Sequence, residues 1–231
     1  MSVFAIGDLH LSLSGDKSME VFRGWENYVE RIREGFESVV SDEDTVVIAG
    51  DLSWGMNLKE SEKDFEFLNS LPGKKLILKG NHDYWWDTAS KINRFFKEKD
   101  FSTLSLLHNN HYKEGVFAIT GTRGWLLEEN AAFVSADKKI AAREEGRLKL
   151  SLESAKKEGL EPIVFLHYPP IFRGGKAEGI ISIMKEYGVK KCFYGHIHSA
   201  ASQDVSEGFI DGIDYKLISA DHLKFKPYKV I

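Results

Sequence analysis

An α/β domain is the fold class this sequence predicts, on three observations. Short apolar, β-rich runs recur along the chain, stretches with helical spacing separate them, and several of the runs stop at a glycine or a histidine. Runs of four to eight nearly continuous apolar residues are the mark of strands buried on both faces, and strands alternating with helices build parallel-type sheets.

The strands predicted in order are Val3–Ile6, Thr45–Ala49, Lys75–Leu78, Val116–Thr120, Ile163–Leu166, Cys192–Tyr194 and Lys216–Ile218. After the first, Val21, Phe22, Trp25, Tyr28, Val29, Ile32, Phe36 and Val39 keep helical spacing, with Ser18 as the expected N-cap. A second helix is expected from roughly Lys59 to Asn69, with Phe65 and Leu68 facing inward, and a third from roughly Trp86 to Lys97. The segment from about Ser135 to Lys157 reads as a long charged helix, a solvated outer helix first and a lid or partner-binding arm second. No repeat, low-complexity stretch or linker interrupts the chain, so residues 1–231 are read as a single domain.

Composition narrows the function. At 231 residues, 42% hydrophobic and 29% charged, the chain can bury a sizeable core without disulfides. Its one cysteine, Cys192, lies in an apolar run and reads as a buried strand thiol. A net charge of −4 gives no global attraction to nucleic acid or anionic membrane. No apolar run approaches the length of a membrane span, and an acidic motif already at Asp8 argues against a signal peptide, so the expected location is cytoplasmic.

Chemistry-bearing residues gather at predicted strand ends. They are Gly7-Asp8-Leu9-His10, Gly50-Asp51-Leu52, Gly80-Asn81-His82-Asp83, His167 and Gly195-His196-Ile197-His198. Parallel-type sheets place ligand sites at the carboxyl ends of their strands, and a glycine there lets the backbone turn sharply. A lone strand-end Asp or His is usually a turn or capping group. Here, however, five of the eight histidines fall in these segments, each behind an apolar run. Carboxylates, imidazoles and an amide with no thiolate suit manganese, iron, zinc or nickel in an open site better than a structural zinc. Asp8 with His10, and His196 with His198, are spaced to reach one ion from the same side of a strand end. Seven candidate ligands are too many for one catalytic ion and suit two that share a carboxylate. His108, His111 and His222 lie outside the pattern and read as surface or capping groups.

The ordered series Asp-x-His, Gly-Asp, Gly-Asn-His-Asp, an isolated His and Gly-His-x-His resembles the calcineurin-like metallophosphoesterase superfamily, from Asp8 to His198. The resemblance implies a four-layer α/β/β/α sandwich with two mixed β-sheets and a dinuclear centre of two divalent or mixed-valence ions, manganese first among manganese, iron, zinc and nickel. It implies that Asp8, His10 and His198 hold one metal, that Asn81, His167 and His196 hold the other, and that Asp51 bridges them. His82 takes the position of the catalytic histidine, and Asp83 either orients it or caps the turn. The implied reaction is attack of a metal-bridging hydroxide on phosphorus, with His82 assisting the leaving group.

The departures narrow it further. Protein phosphatases of this superfamily continue the second motif as Gly-Asp-x-x-Asp-Arg, whereas here Trp54 and Gly55 stand at the Asp and Arg positions, and Asp83 replaces a Glu. Arg123, in Gly121-Thr122-Arg123-Gly124-Trp125, is the best candidate for a phosphate contact, against a surface arginine in a glycine-rich turn, with Arg173 a weaker candidate. Trp54, Trp85 and Trp86 read as core packing ahead of substrate stacking. The expected substrate is a small phosphodiester or phosphomonoester. Nuclease-like action on nucleic acid ranks second, because no basic groove with interleaved aromatics is visible. A non-catalytic binding scaffold is the rival from another class, disfavoured because every expected ligand and His82 are present.

Overall fold

The structure is a computed structural model that describes residues 1–15 and 17–231. Along the chain, β1 (Val3–Ile6) leads to α1 (Tyr28–Glu37), β2 (Thr45–Ala49), α2 (Glu62–Ser70), β3 (Lys74–Leu78), α3 (Ala89–Glu98) and β4 (Leu104–Leu106). Then come β5 (Tyr112–Glu114), β6 (Phe117–Thr122), α4 (Asp137–Lys157), β7 (Glu161–Leu166), β8 (Ile171–Phe172), β9 (Gly175–Lys176) and α5 (Glu178–Glu186). Last are β10 (Lys191–Tyr194), β11 (Gly208–Ile210), β12 (Ile213–Leu217) and β13 (Tyr228–Lys229). The architecture is α/β, with two large mixed sheets and five α-helices among the described residues. None of these helices is long and apolar enough to cross a membrane.

The chain divides into two compact units, Met1–Leu106 with Ile218–Ile231, and Leu107–Leu217. The first unit holds a sheet of order β13-β1-β2-β3-β4, parallel except for the antiparallel edge strand β13. Ile6 pairs with Ile48, and Ala49 with Leu78, so β1, β2 and β3 end level with one another. The loops carrying Asp8, Asp51 and Asn81 therefore leave from one edge. Ile32 and Phe36 of α1, Phe65 and Leu68 of α2, and Ile92 and Phe96 of α3 are buried in the core of this unit. Phe65 anchors its aromatic part, edge-on to Trp85 at 4.8 Å and to Phe96 at 5.2 Å.

The second unit holds the order β11-β12-β10-β7-β6-β5, parallel in the middle with antiparallel strands at both edges. Leu166 of β7 pairs with Tyr194 of β10 and with Thr122 of β6. That register sets His167, Gly195-His196 and Arg123 side by side at the strand ends. α4 lays Leu148 and Leu152 into this unit's core, beside Ile181 and Met184 of α5. The predicted outer helix thus packs one stripe on this unit and leaves the rest of its surface to solvent. Cys192 is buried in β10, and burial pushes its thiol well above the usual range.

The helix expected from the Ser18 region onward differs. Ser18 caps only a short 3-10 turn, Met19–Val21, and Val21 and Phe22 lie exposed. Gly24 and Asn27 both adopt left-handed backbone, which interrupts the spiral, so α1 begins at Tyr28. The third helix starts at Ala89 rather than near Trp86, because Thr88 supplies the N-cap.

Lys75 is fully buried in β3, where its ammonium donates to the carbonyl oxygens of Leu71 (2.5 Å) and Gly73 (2.7 Å). Burial pulls its pKa down to about 8. The folded chain then releases this proton at lower pH than the unfolded chain, so the cost of burying the charge is present below pH 8 and is relieved as pH rises toward 10. Wild-type stability is expected to rise relative to Lys75→Met by about 2–3 kcal/mol between pH 7 and 10, since each tenfold change in proton affinity is worth ~1.4 kcal/mol. Urea denaturation at the two pH values checks this, and a constant difference would contradict it.

Candidate metal centre

In the first unit, the three strand-end loops are laced together by their backbones. The amides of Asp8, His10 and Leu11 donate to the carbonyls of Gly50, Asp51 and Leu52, each at 2.9 Å. Asp8, His10 and Asp51 all have positive φ, of 60°, 47° and 50°. Asp and His tolerate that region better than most residues, at a cost of about 1–3 kcal/mol that tends to be borne at functional sites. Asp8 and His10 do bring donor atoms within 4.8 Å of each other. They do so through this left-handed turn rather than through the strand alternation that their spacing suggested.

Asp8 and Asp51 are buried, and so is His10. His10 Nε2 stands 3.8 Å from an Asp51 carboxylate oxygen. The Ser219 hydroxyl donates to Asp8 Oδ2 at 2.8 Å, and the Tyr28 hydroxyl donates to the His10 carbonyl at 3.2 Å. Burial holds the Tyr28 phenol at a pKa of about 12, so it remains a donor. Asp64, buried beneath the second loop, accepts from the Ser53 hydroxyl (2.5 Å) and the Leu13 amide (2.7 Å). Burial raises its pKa in spite of those bonds.

Asp83 ties the second and third loops together. Its carboxylate accepts from the amides of Asp51 (3.0 Å), Leu52 (2.8 Å), Ser53 (3.4 Å) and Gly80 (2.7 Å), and from the Trp85 indole (2.9 Å). Of the two roles open to Asp83, this is closest to the cap, extended across two loops. Gly80 must be a glycine, since a Cβ there would collide with Asp51 Oδ1 and the Asp51 amide nitrogen.

Half-buried Asn81 and His82 sit in this third loop. The His82 amide donates to Asp51 Oδ1 at 2.7 Å, and the Tyr84 hydroxyl lies 3.4 Å from His82 Nδ1. Trp54, where a protein phosphatase would carry an Asp, stacks on His10 with ring centroids 4.9 Å apart and lies 4.5 Å from the His82 ring. A flat apolar wall therefore flanks both imidazoles. Trp85 is core, as expected, whereas Trp54 faces the site.

In the second unit, His167 is fully buried at the end of β7, and its amide donates to the Arg123 carbonyl at 3.1 Å. Its Nε2 lies 3.2 Å from Nδ1 of His196, which has φ of 73°. Two imidazole nitrogens that share one cation at bond lengths near ~2.1 Å require about this separation. His198 follows, half-buried, at the start of a 3-10 turn.

Arg123 is largely buried, with its side chain 15% exposed. Its Nη2 lies 3.3 Å from Glu144, and its guanidinium stacks 4.3 Å over the Trp125 ring. Buried Glu144 also accepts from Thr122 (2.5 Å) and Arg147 (2.6 Å). The charged helix thus contributes a buried acid that aims Arg123. Arg173, in contrast, is exposed and paired with Asp204 at 2.8 Å. Of the surface and capping roles expected for His111, the second is the nearer. Its ring bridges Ser154 (2.8 Å) and Glu158 (3.3 Å), fastening the loop before β5 to α4.

In each unit the donors are those of a transition-metal site. Burying two carboxylates beside an imidazole is costly unless a cation or hydrogen bonds offset the charge. The donor chemistry and the close His167–His196 approach both fit a metal.

The family model for calcineurin-like phosphoesterase matches residues 1–200. The chain belongs to the calcineurin-like phosphoesterase family. That span contains every predicted ligand and His82, and membership supports phosphoester hydrolysis as the general reaction class. No curated protein matches the sequence. Among solved structures, this phosphoesterase-family chain is similar to a protein of unknown function from Aquifex aeolicus, with 14% identity and a TM-score of 0.53 over 99% of this chain and 95% of that one. It is similar to phosphopantetheinyl hydrolase from Mycobacterium tuberculosis, with 14% identity and a TM-score of 0.53 over 100% and 95%. It is also similar to GAP50, the anchor in the inner membrane complex of Plasmodium, with 16% identity and a TM-score of 0.56 over 96% and 72%. Identities this low show the fold alone. A fold shared by a hydrolase and an anchor leaves function to be argued from side chains.

Proposed function

We propose that this chain hydrolyses small phosphodiesters or phosphomonoesters with two bound metal ions. The reading is carried by the unbroken motif series from Asp8 to His198 inside the family match. Asp8, His10 and His198 would hold one ion, Asn81, His167 and His196 the other, and Asp51 would serve both, with manganese the first metal to try. When bound, such ions supply Lewis-acid neutralisation of the phosphoryl group and a water of lowered pKa.

The chain's own residues do the rest. The Tyr84 hydroxyl flanks His82 on its Nδ1 side at 3.4 Å, and the protonated imidazole would deliver a proton to the leaving oxygen. Trp54 restricts the tilt of that ring and excludes water from one side of it. Arg123, aimed by Glu144, contacts a phosphoryl oxygen through its fork of donors. Arg123→Ala is expected to raise KM about tenfold, roughly the loss of one charge-assisted contact, in steady-state kinetics with an aryl phosphodiester. An unchanged KM and turnover would remove Arg123 from the site.

The reading is tested by metal stoichiometry. Calorimetric titration with manganese should give two ions per wild-type chain, with the affinity of both weakened in Asp51→Asn. Full occupancy and full rate in Asp51→Asn would refute the shared carboxylate.

A further inference from the structure

Within the second unit, a cavity of about 330 Å3 opens beside His196. Its wall is a run of rings. Tyr168, the residue after His167, has its ring 4.3 Å from that of His196, and Trp125 lies 5.5 Å from Tyr168. Phe172, Leu127 and Ile197 extend the apolar lining, and exposed Ala131 stands at one side.

We propose that this cavity receives the leaving group of the phosphoester, and that this group is a flat, uncharged ring system. The inference rests on the phosphohydrolase reading above and names the substrate class for it. His196 is both a candidate metal ligand and part of the wall, so an ester whose phosphoryl group lies beside that residue has the rings within reach of its ester substituent. In the reaction, water's oxygen bonds to phosphorus. The ester P–O bond breaks with its electron pair on the leaving oxygen, which takes up a proton as the attacking water loses one, and departs as a neutral ring alcohol.

Three features choose the occupant. A wall of several aromatic rings favours a flat partner over a branched aliphatic one. A volume near 330 Å3 is at the small end for ligand cavities, room for one or two rings and far too little for a nucleic-acid strand. The charged residues in the lining do not single out an anion. Arg173 is already matched by Asp204, through Nε at 2.9 Å and Nη2 at 2.8 Å, and Glu129 would repel an anion.

The test uses the manganese-loaded full chain and 1-naphthol as probe, with cyclohexanol as the non-flat control. Ala131→Trp and, independently, Leu127→Trp fill the cavity, and circular dichroism verifies that each variant folds. The expected result is 1-naphthol binding by calorimetry that exceeds cyclohexanol binding and falls about tenfold in the filled variants. KM for bis-p-nitrophenyl phosphate should rise in parallel, while inhibition by inorganic phosphate, which does not reach the rings, keeps its constant. Equal binding of the two alcohols, or naphthol affinity and KM unmoved in a folded variant, would overturn the proposal. Absence of hydrolysis would defeat the phosphohydrolase reading, and the naphthol titration would still decide whether the cavity takes a ring.

Discussion

Asp83→Ala is expected to destabilise the folded chain by about 3–5 kcal/mol, because several buried N–H groups lose their acceptor at once and each costs roughly 1–3 kcal/mol when left unmade. Those donors are the amides of Asp51, Leu52, Ser53 and Gly80, and the Trp85 indole. Water entering the gap recovers part of the total, which keeps the figure below a simple sum. Asp83→Asn should recover only a portion. One carboxylate oxygen serves Asp51 and Gly80 and the other serves Leu52, Ser53 and Trp85, so an amide must turn its NH2 on one of those sets. Urea denaturation of the three proteins measures the effect, and a loss below about 1 kcal/mol for the alanine variant would show that the loops are held otherwise. The same change should weaken manganese binding, since the two loops it joins carry Asp51 and Asn81.

His82→Ala is the second large effect, and it falls on rate rather than on folding. The ring is half-buried and contacts Trp54, His10 and Tyr84, none of which depends on it for core burial. Turnover is expected to drop by ~10²–10⁴, the usual worth of a general acid, which is about 3–5 kcal/mol of barrier. Manganese content measured on the same preparation should be unchanged. A loss of less than tenfold, or a loss that tracks missing metal, would take His82 out of the catalytic role.

The strands that end at the site were the most legible part of this fold. β1 and β2 match their predicted bounds, since continuous apolar runs bounded by Gly7 and Gly50 leave little choice. The short edge strands β4, β5, β11 and β13 were invisible, because two or three residues carry no period. The start of α1 departs from the expected helix for a local reason. Val21, Phe22 and Trp25 keep helical spacing, but Gly24 within that stretch and Asn27 just before Tyr28 have positive φ.

At the site, the residues predicted as ligands could be read because each follows an apolar run. Their supports could not. Ser219 reaches Asp8 across 211 positions, and Glu144 reaches Arg123 across 21. Asp83 stays open between orienting His82 and capping the turn in the sequence, because its role depends on amides 30 to 32 positions away. Trp54 stands out in the sequence as a departure, yet only the ring geometry shows the indole set against His10 and His82.

Hydrolysis by the manganese-loaded chain tests the central claim most directly. Bis-p-nitrophenyl phosphate and p-nitrophenyl phosphate are assayed in parallel, before and after chelation and after manganese is restored. The expected result is p-nitrophenol release that chelation abolishes and manganese recovers, with the diester-to-monoester ratio assigning the substrate class. Two manganese ions bound with no release from either ester would contradict the account, and would leave a scaffold that kept its ligands without the reaction.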